Sequence, residues 1–150
     1  MTGSKKIIAV IGGRKCTEAQ YQIARDLGRL IAENDAILVC GGRTGIMEAV
    51  CRGAAEAGGI TVGILPGDDK LDANEWVTVP IATGIGLARN AVIIRSASAA
   101  IAIGGSYGTL SEIAYCKQFG VPVYGIQSWD IDGLPSIETP EEALRLALLD

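Results

Sequence analysis

The sequence predicts an α/β protein, a doubly wound Rossmann-like fold with a mainly parallel sheet and helices on both faces. Short runs that are apolar at every position alternate with segments of helical period, as strands covered on both sides require. The chain is 49% hydrophobic but only 5% aromatic, which suits helix-on-sheet packing through Ala, Val and Ile rather than a sandwich built on large rings. The 20 glycines gather behind the apolar runs instead of spreading evenly. With 150 residues and no repeat, low-complexity tract or internal linker, 1–150 reads as one domain with room for a sizeable core.

Each element has its own signal. Ile7 to Ile11 is a β-branched run closed by Gly12-Gly13, a buried strand. From Thr17 to about Glu33 a helix places Ile23, Leu27, Leu30 and Ile31 on one face, and Thr17 and Gln20 stand at capping-box spacing at its start. Ala36 to Cys40 is the second strand, ended by Gly41-Gly42, and Ile46, Met47, Val50, Cys51 and Ala54 mark the next helix. Ile60 to Leu65 is the third strand, closed by Pro66-Gly67; Asp68 to Glu75 is polar and loop-like, and Trp76 to Val79 is a candidate short strand. A helix is expected from about Ile85 to Ser98, then the strand Ala99 to Ile103, a glycine cluster and a helix to about Phe119. Val121 to Ile126 is the following strand and Ser128 to Ser136 a loop. Thr139-Pro140-Glu141-Glu142 then opens the last helix with an N-cap, an N1 proline and a capping-box glutamate.

Charge and composition narrow the function. A net charge of −4 works against general binding to nucleic acid or an anionic membrane. No apolar run is long enough to span a bilayer and the first residues do not read as a signal peptide, so the expected compartment is the cytoplasm. Cys16, Cys40, Cys51 and Cys116 are scattered, without a CxxC pair, and read as reduced thiols there. There is no histidine in the chain, so a Ser-His-Asp or Cys-His device within one subunit is excluded, as is a histidine-bearing zinc site; no zinc is expected.

The glycine clusters point to a phosphate. They follow the first strand (Gly12, Gly13), the second (Gly41, Gly42, Gly45) and the strand ending at Ile103 (Gly104, Gly105, Gly108). In a doubly wound sheet these positions share the carboxyl edge, where ligands bind. Glycine allows tight turns and close approach of backbone amides to an anion, and helix starts favour phosphate. Any one cluster alone is explained by a tight turn; three on one edge are not. Arg14, Lys15, Arg43 and Arg89 map to the same edge. The first loop reads Gly12-Gly13-Arg14-Lys15-Cys16 and lacks G-x-G-x-x-G, which argues against a standard NAD dehydrogenase.

The segment Gly104-Gly105-Ser106-Tyr107-Gly108-Thr109-Leu110-Ser111-Glu112 resembles the P-G-G-x-G-T-x-x-E motif of the superfamily that holds the cytokinin-activating phosphoribohydrolases, the Lonely Guy family, whose members are often labelled lysine decarboxylases. Arg89 falls where that family has the Arg of an Arg-Lys pair, and Gly41 to Met47 resembles its second glycine loop. Gly104 replaces the motif's Pro, Ser106 its second Gly, and Asn90 the Lys. Thr83 to Asn90, with this version of the glycine loop, is more similar to a sister branch that contains the molybdenum-cofactor carrier proteins. The similarity runs from the second strand to the helix ending near Phe119.

That resemblance implies a Rossmann fold, a homo-oligomer (dimer or tetramer) and a site for an anionic pterin cofactor or related nucleotide. The expected ligand-binding residues are Gly13, Arg14, Gly42, Arg43, Thr44, Gly45, Arg89, Asn90, Gly104, Gly105, Ser106, Tyr107, Gly108, Thr109 and Glu112. The leading reading is a carrier for a phosphorylated pterin, the molybdenum cofactor, or a related nucleotide. The alternative is a nucleoside 5'-monophosphate phosphoribohydrolase in which Arg89 and Glu112 are catalytic; a nucleotide sensor would use the same pocket without turnover. Thr109 and Glu112 also fit a helix capping box. Arg89, amid Leu87, Ala88, Ala91 and Val92, calls for a buried anionic partner, either Glu112 or a ligand phosphate. Tyr107 is placed to stack on a base or pterin, or is incidental to the turn. A pyridoxal lysine decarboxylase is set aside, since none of Lys5, Lys6, Lys15, Lys70 and Lys117 carries a Schiff-base signature. The apolar surround of the expected 85–98 helix (Leu87, Ala88, Ala91, Val92, Ile93, Ile94, Ala97) exceeds the stripe one sheet face needs, and so predicts a partner subunit.

Overall fold

The computed structural model of the protein describes residues 4–150. Six strands, β1 (Ile7–Gly12), β2 (Ile37–Cys40), β3 (Thr61–Leu65), β4 (Val79–Ala82), β5 (Ala99–Ile103) and β6 (Val123–Ile126), form one sheet in the order β4-β3-β2-β1-β5-β6. Every pairing is parallel, with Ala9 opposite both Val39 of β2 and Ala100 of β5. The strands therefore build outward from β1 to one side and then, through β5 and β6, to the other. The reversal between β1 and β5 opens a crevice at their carboxyl ends.

Five helices cover the sheet: α1 (Glu18–Glu33), α2 (Ile46–Glu56), α3 (Arg89–Arg95), α4 (Tyr107–Phe119) and α5 (Pro140–Leu149). The pleat sorts the core into two layers. Ile8 and Val10 pack with Leu27 and Ile31 of α1, Val50 of α2 and Leu144 of α5 on one face. Ala9 and Ile11 meet Ile93 and Ile94 of α3 and Ile113 and Cys116 of α4 on the other. Alanines at Ala100 and Ala102 let α3 and α4 lie close to β5. No helix among the described residues is long and apolar enough to cross a membrane.

The expected N-caps form, but the capping box is complete only at Thr17; the Glu142 carboxylate accepts from Arg145 instead of from Thr139 N. Thr17 accepts from Gln20 N while the Gln20 side chain accepts from Thr17 N, each at 3.1 Å, and Thr139 accepts from Glu142 N at 3.2 Å. Other expectations are corrected. The strand expected at Trp76 to Val79 is Val79–Ala82; Trp76 instead belongs to a turn in which its N–H donates to the Asn74 side chain. The helix expected from Ile85 to Ser98 is only Arg89–Arg95, preceded by a 3-10 turn over Gly86–Ala88. Gly84 and Gly86 both take positive φ, 67° and 66°, which no α-helix continues through. The Thr109–Glu112 pair is not a capping box: α4 starts at Tyr107, its N-cap Ser106 makes no side-chain cap bond, and both residues lie inside the helix.

α1 and α2 touch through two glycines. A Cβ on Gly28 would stand 2.0 Å from the Val50 carbonyl oxygen, and one on Gly53 would stand 1.8 Å from that of Arg25. Backbone meets backbone there, so neither side can yield. Gly53→Ala is expected to lower stability by about 3 kcal/mol despite the better helix propensity of Ala, read as a shift of the urea midpoint. A loss below about 1 kcal/mol would mean that the helices slide apart without penalty.

Candidate functional site

The crevice between β1 and β5 widens into an open cleft of about 1150 Å³. Its walls come from the loop after β1 (Gly12 to Thr17), the loop after β5 (Gly104 to Ser106) running into α4, and the loop after β6 (Gln127 to Asp130), with Met47, Leu87, Arg89 and Asn90 closing the side.

The start of α4 supplies donors. Among the described residues, the N–H groups of Gly105, Ser106, Tyr107, Gly108 and Thr109 donate to no other protein group, whereas Gly104 N bonds Ile126 O and Leu110 N bonds Ser106 O. Two carbonyls of this loop are tied back, Gly104 O by the Ser128 hydroxyl at 2.8 Å and Ser106 O by the Trp129 indole N–H at 3.1 Å. A peptide plane whose C=O is held on one side presents its N–H on the other. The Thr109 hydroxyl is buried with no hydrogen-bond partner. Buried polar groups are rarely left so, and a helix N-terminus with free amides is an anion site.

Arg89 provides charge. It is 5% exposed and makes no ion pair among the described residues. Its Nε donates to Ile64 O at 2.9 Å, an Nη donates to the Asn90 side-chain oxygen, and the outer Nη lies over Gly41, where a Cβ would come within 2.7 Å. Asn90 in turn donates to the Ser111 hydroxyl at 3.1 Å, and Ser111 donates to Gly108 O at 2.6 Å. Asn90 therefore lines the cleft with its amide already engaged, orienting Arg89 and tying α3 to α4. Burial pulls the Arg89 guanidinium below its usual pKa; the Glu112 carboxyl opposes that fall, and Arg14 adds to it. An arginine nonetheless stays charged near neutral pH.

Glu112 is 7% exposed, lines the cleft, and accepts no hydrogen bond among the described residues. Burial pushes its carboxyl up to about 8, with Arg89 pulling the other way, so near pH 7 it is largely protonated. No salt bridge joins it to Arg89 among the described residues.

The second glycine loop has a different place. Gly42, Arg43, Thr44 and Gly45 lie outside the cleft lining. Thr44 donates through its hydroxyl to Arg14 O at 3.1 Å, and Ile46 N donates to Gly13 O at 3.0 Å, so this loop braces the first one. Arg43 donates to Asp72 O at 3.1 Å. Gly13, Arg14, Arg89, Asn90, Gly104, Gly105, Ser106, Gly108, Thr109 and Glu112 all line the cleft. Tyr107 is 81% exposed beside it, its ring 6.1 Å from that of Trp129. Sequence reasoning missed Gln20, Leu87 and the whole Gln127 to Asp130 segment. The rule that ligands gather beyond the carboxyl ends of strands reaches the last of these once β6 is known to neighbour β5.

The model of the SLOG cluster4 family matches residues 5–146. This chain belongs to that family. Outside the family model, the SLOG cluster4 chain is 43% identical over 142 residues to an uncharacterized protein of Archaeoglobus fulgidus, a match covering 94% of this chain and 93% of that one. The molybdenum cofactor binding protein from the phototrophic bacterium Rippkaea orientalis matches the structure with a TM-score of 0.92 at 33% identity, over 99% of this chain and 98% of its own. The molybdenum cofactor carrier protein of Chlamydomonas reinhardtii gives 0.88 at 31% identity, over 98% and 100%. The resemblance read from Thr83 to Asn90 and from the Gly104 loop thus extends over almost the whole SLOG cluster4 chain.

Glu112 makes stability depend on pH. Its folded pKa lies above the unfolded value of about 4.3, so between the two the folded state keeps a proton that the unfolded chain has lost. Its contribution is fully present below about pH 4.3 and disappears as pH rises to about 8, at up to about 1.4 kcal/mol per pH unit. Glu112→Gln should match the wild type near pH 4.5 and exceed it increasingly towards pH 8. Urea titrations across that range read the difference; a difference that stays flat removes the raised pKa.

Proposed function

We propose that this chain binds a phosphate-bearing small molecule in the β1/β5 cleft and carries it as cargo, the molybdenum cofactor or a related pterin or nucleotide. The observation that carries this reading is Arg89, a buried cation without an ion-pair partner among the described residues, lining the same cleft as Gly105, Ser106, Gly108 and Thr109 with their free N–H groups and as the unpartnered Thr109 hydroxyl. A phosphate monoester answers all three: its charge balances the guanidinium and its oxygens accept from amides and hydroxyl. Similarity to the molybdenum cofactor binding protein of Rippkaea orientalis and the molybdenum cofactor carrier protein of Chlamydomonas reinhardtii supports that cofactor as the molecule carried. A net charge of −4 favours a small anion over a nucleic acid, and four free thiols suit a reducing compartment such as the cytoplasm.

Calorimetric titration with inorganic phosphate and with the molybdenum cofactor tests it. Arg89→Ala is expected to weaken cofactor binding by roughly tenfold to a hundredfold, the range of a charge-assisted contact. Thr109→Val, close to isosteric, is expected to weaken it severalfold while leaving the melting temperature unchanged or raised, because it deletes an unsatisfied hydroxyl. Neither ligand binding the wild type would end the proposal.

Glu112 favours a second reading, phosphoribohydrolase activity on nucleoside 5'-monophosphates. A carboxyl protonated near pH 7 inside the cleft is equipped to donate a proton to a departing base. The expected outcome is nonetheless no free base from AMP or GMP, because the Lys of the hydrolase motif is here Asn90, whose amide is engaged by Arg89 and Ser111. Base released by the wild type and abolished in Glu112→Gln at unchanged affinity would install the hydrolase reading instead.

We also infer a homo-oligomer. Ile81 on the edge strand β4, Ile85 and Leu87 before α3, and Val92 on it are 43%, 51%, 72% and 38% exposed, an apolar run that a second copy would cover. Light scattering at micromolar concentration is expected to give at least a dimer; a monomeric mass would refute it.

A further inference from the structure

We propose that the segment Gln127 to Asp130 reads the heterocycle of the bound molecule. It selects a fused 2-amino-4-oxopyrimidine, the ring system of guanine and of pterins, over a 6-aminopurine. The proposal rests on the cleft being a site for a phosphate-bearing small molecule, and adds which ring that molecule carries.

Arg14, Arg89 and the start of α4 account for one end of the cleft. β6 lies two strands from β1, about 10 Å along the sheet, so its loop faces whatever extends beyond the phosphate. Trp129 is half-buried in that loop and lines the cleft. Its indole N–H is fixed on Ser106 O at 3.1 Å, which sets the ring's orientation before any ligand arrives. A pre-set indole in a cleft wall is a stacking surface for a flat heterocycle.

Asp130 supplies the edge. Among the described residues its side chain makes no ion pair and no hydrogen bond, although it lines the same cleft as the cations Arg14, Lys15 and Arg89. Exposed at the rim of an anion-binding cleft, this carboxylate repels the phosphate and is free to accept N–H donors from elsewhere on the ligand. A 2-amino-4-oxopyrimidine presents a ring N–H and an exocyclic amine side by side, the pair that a carboxylate accepts in bidentate fashion. The edge of adenine presents one acceptor beside one donor, and its acceptor would face a carboxylate oxygen. Gln127 stands at the mouth of the same loop in the left-handed region, φ 49°, a conformation uncommon for a residue with a side chain. Its exposed amide makes no side-chain hydrogen bond among the described residues and is available to the ring oxygen.

The test uses four probes on the full chain: GMP, 6-hydroxymethylpterin phosphate, AMP and inorganic phosphate, by calorimetry or competition. The wild type is expected to bind GMP and the pterin phosphate at least about tenfold tighter than AMP, a modest figure because the rim is open to water. Asp130→Asn turns the carboxylate into one acceptor and one donor, the complement of adenine. It should bring GMP and AMP within about threefold or reverse their order while leaving inorganic phosphate unchanged. Trp129→Leu should weaken every ring ligand by on the order of tenfold and spare inorganic phosphate. Asp130 is exposed, so its variant is expected to fold, and it decides the matter if Trp129→Leu does not. Equal affinity for GMP and AMP in the wild type, or an intact preference in Asp130→Asn, overturns the assignment of the ring and leaves the phosphate site standing. If no probe binds, inorganic phosphate included, the phosphate site falls and the assignment of the ring falls with it.

Discussion

A guanidinium withdrawn from water loses several kcal/mol of hydration unless hydrogen bonds and an opposite charge replace it. The surroundings of Arg89 replace only the first. Ile64 O, at the end of β3, and the Asn90 side chain hold the group in place, and Asn90 is itself held through Ser111 to the start of α4. The carboxyl that acts on it electrostatically, Glu112, is driven by burial towards its neutral form. The chain thus keeps a fixed positive charge at the floor of its cleft and leaves the balancing of that charge to whatever enters. Such a site is set before binding, so little ordering remains for the ligand to bring about.

The sheet topology makes this arrangement possible. Because β1 and β5 are neighbours whose following helices lie on opposite faces, α1 departs one way and α4 the other, and the loops leading to them part over the crevice. α4 presents its first amides to that gap because Ser106 lacks a side-chain cap and because Ser128 and Trp129 hold two loop carbonyls away from it. The start of α1 is closed by its own capping box, and its loop contributes Arg14 and Lys15 rather than a helix terminus.

Much of this was legible in the residues. Strands β1, β2, β3, β5 and β6 could be read because burial forces apolar residues along them, whereas the exposed edge strand β4 could not be placed; the caps at Thr17 and Thr139 could be read because their chemistry is local. The segment around Arg89 was harder. Its apolar continuity from Ile85 to Ser98 mimics a full helix, and only the backbone at Gly84 and Gly86 shows that the first turn is not α. Thr109 and Glu112 have capping-box spacing, yet that spacing also recurs in a helix interior, and which applies depends on where the helix begins. The Gln127 to Asp130 loop was illegible for another reason: its relevance follows from β6 lying beside β5, a fact of pairing that no local pattern encodes.

The second glycine loop leaves a last consequence. Thr44 and the start of α2 hold the Arg14 and Gly13 carbonyls, so the path of the cationic loop is fixed by residues that stand behind it. Perturbation there would travel through the backbone and arrive at the cleft as a displaced Arg14. In a mutational scan read by affinity alone, Thr44 would pass for a residue in contact with a bound ligand, though its hydroxyl touches only the protein's own main chain.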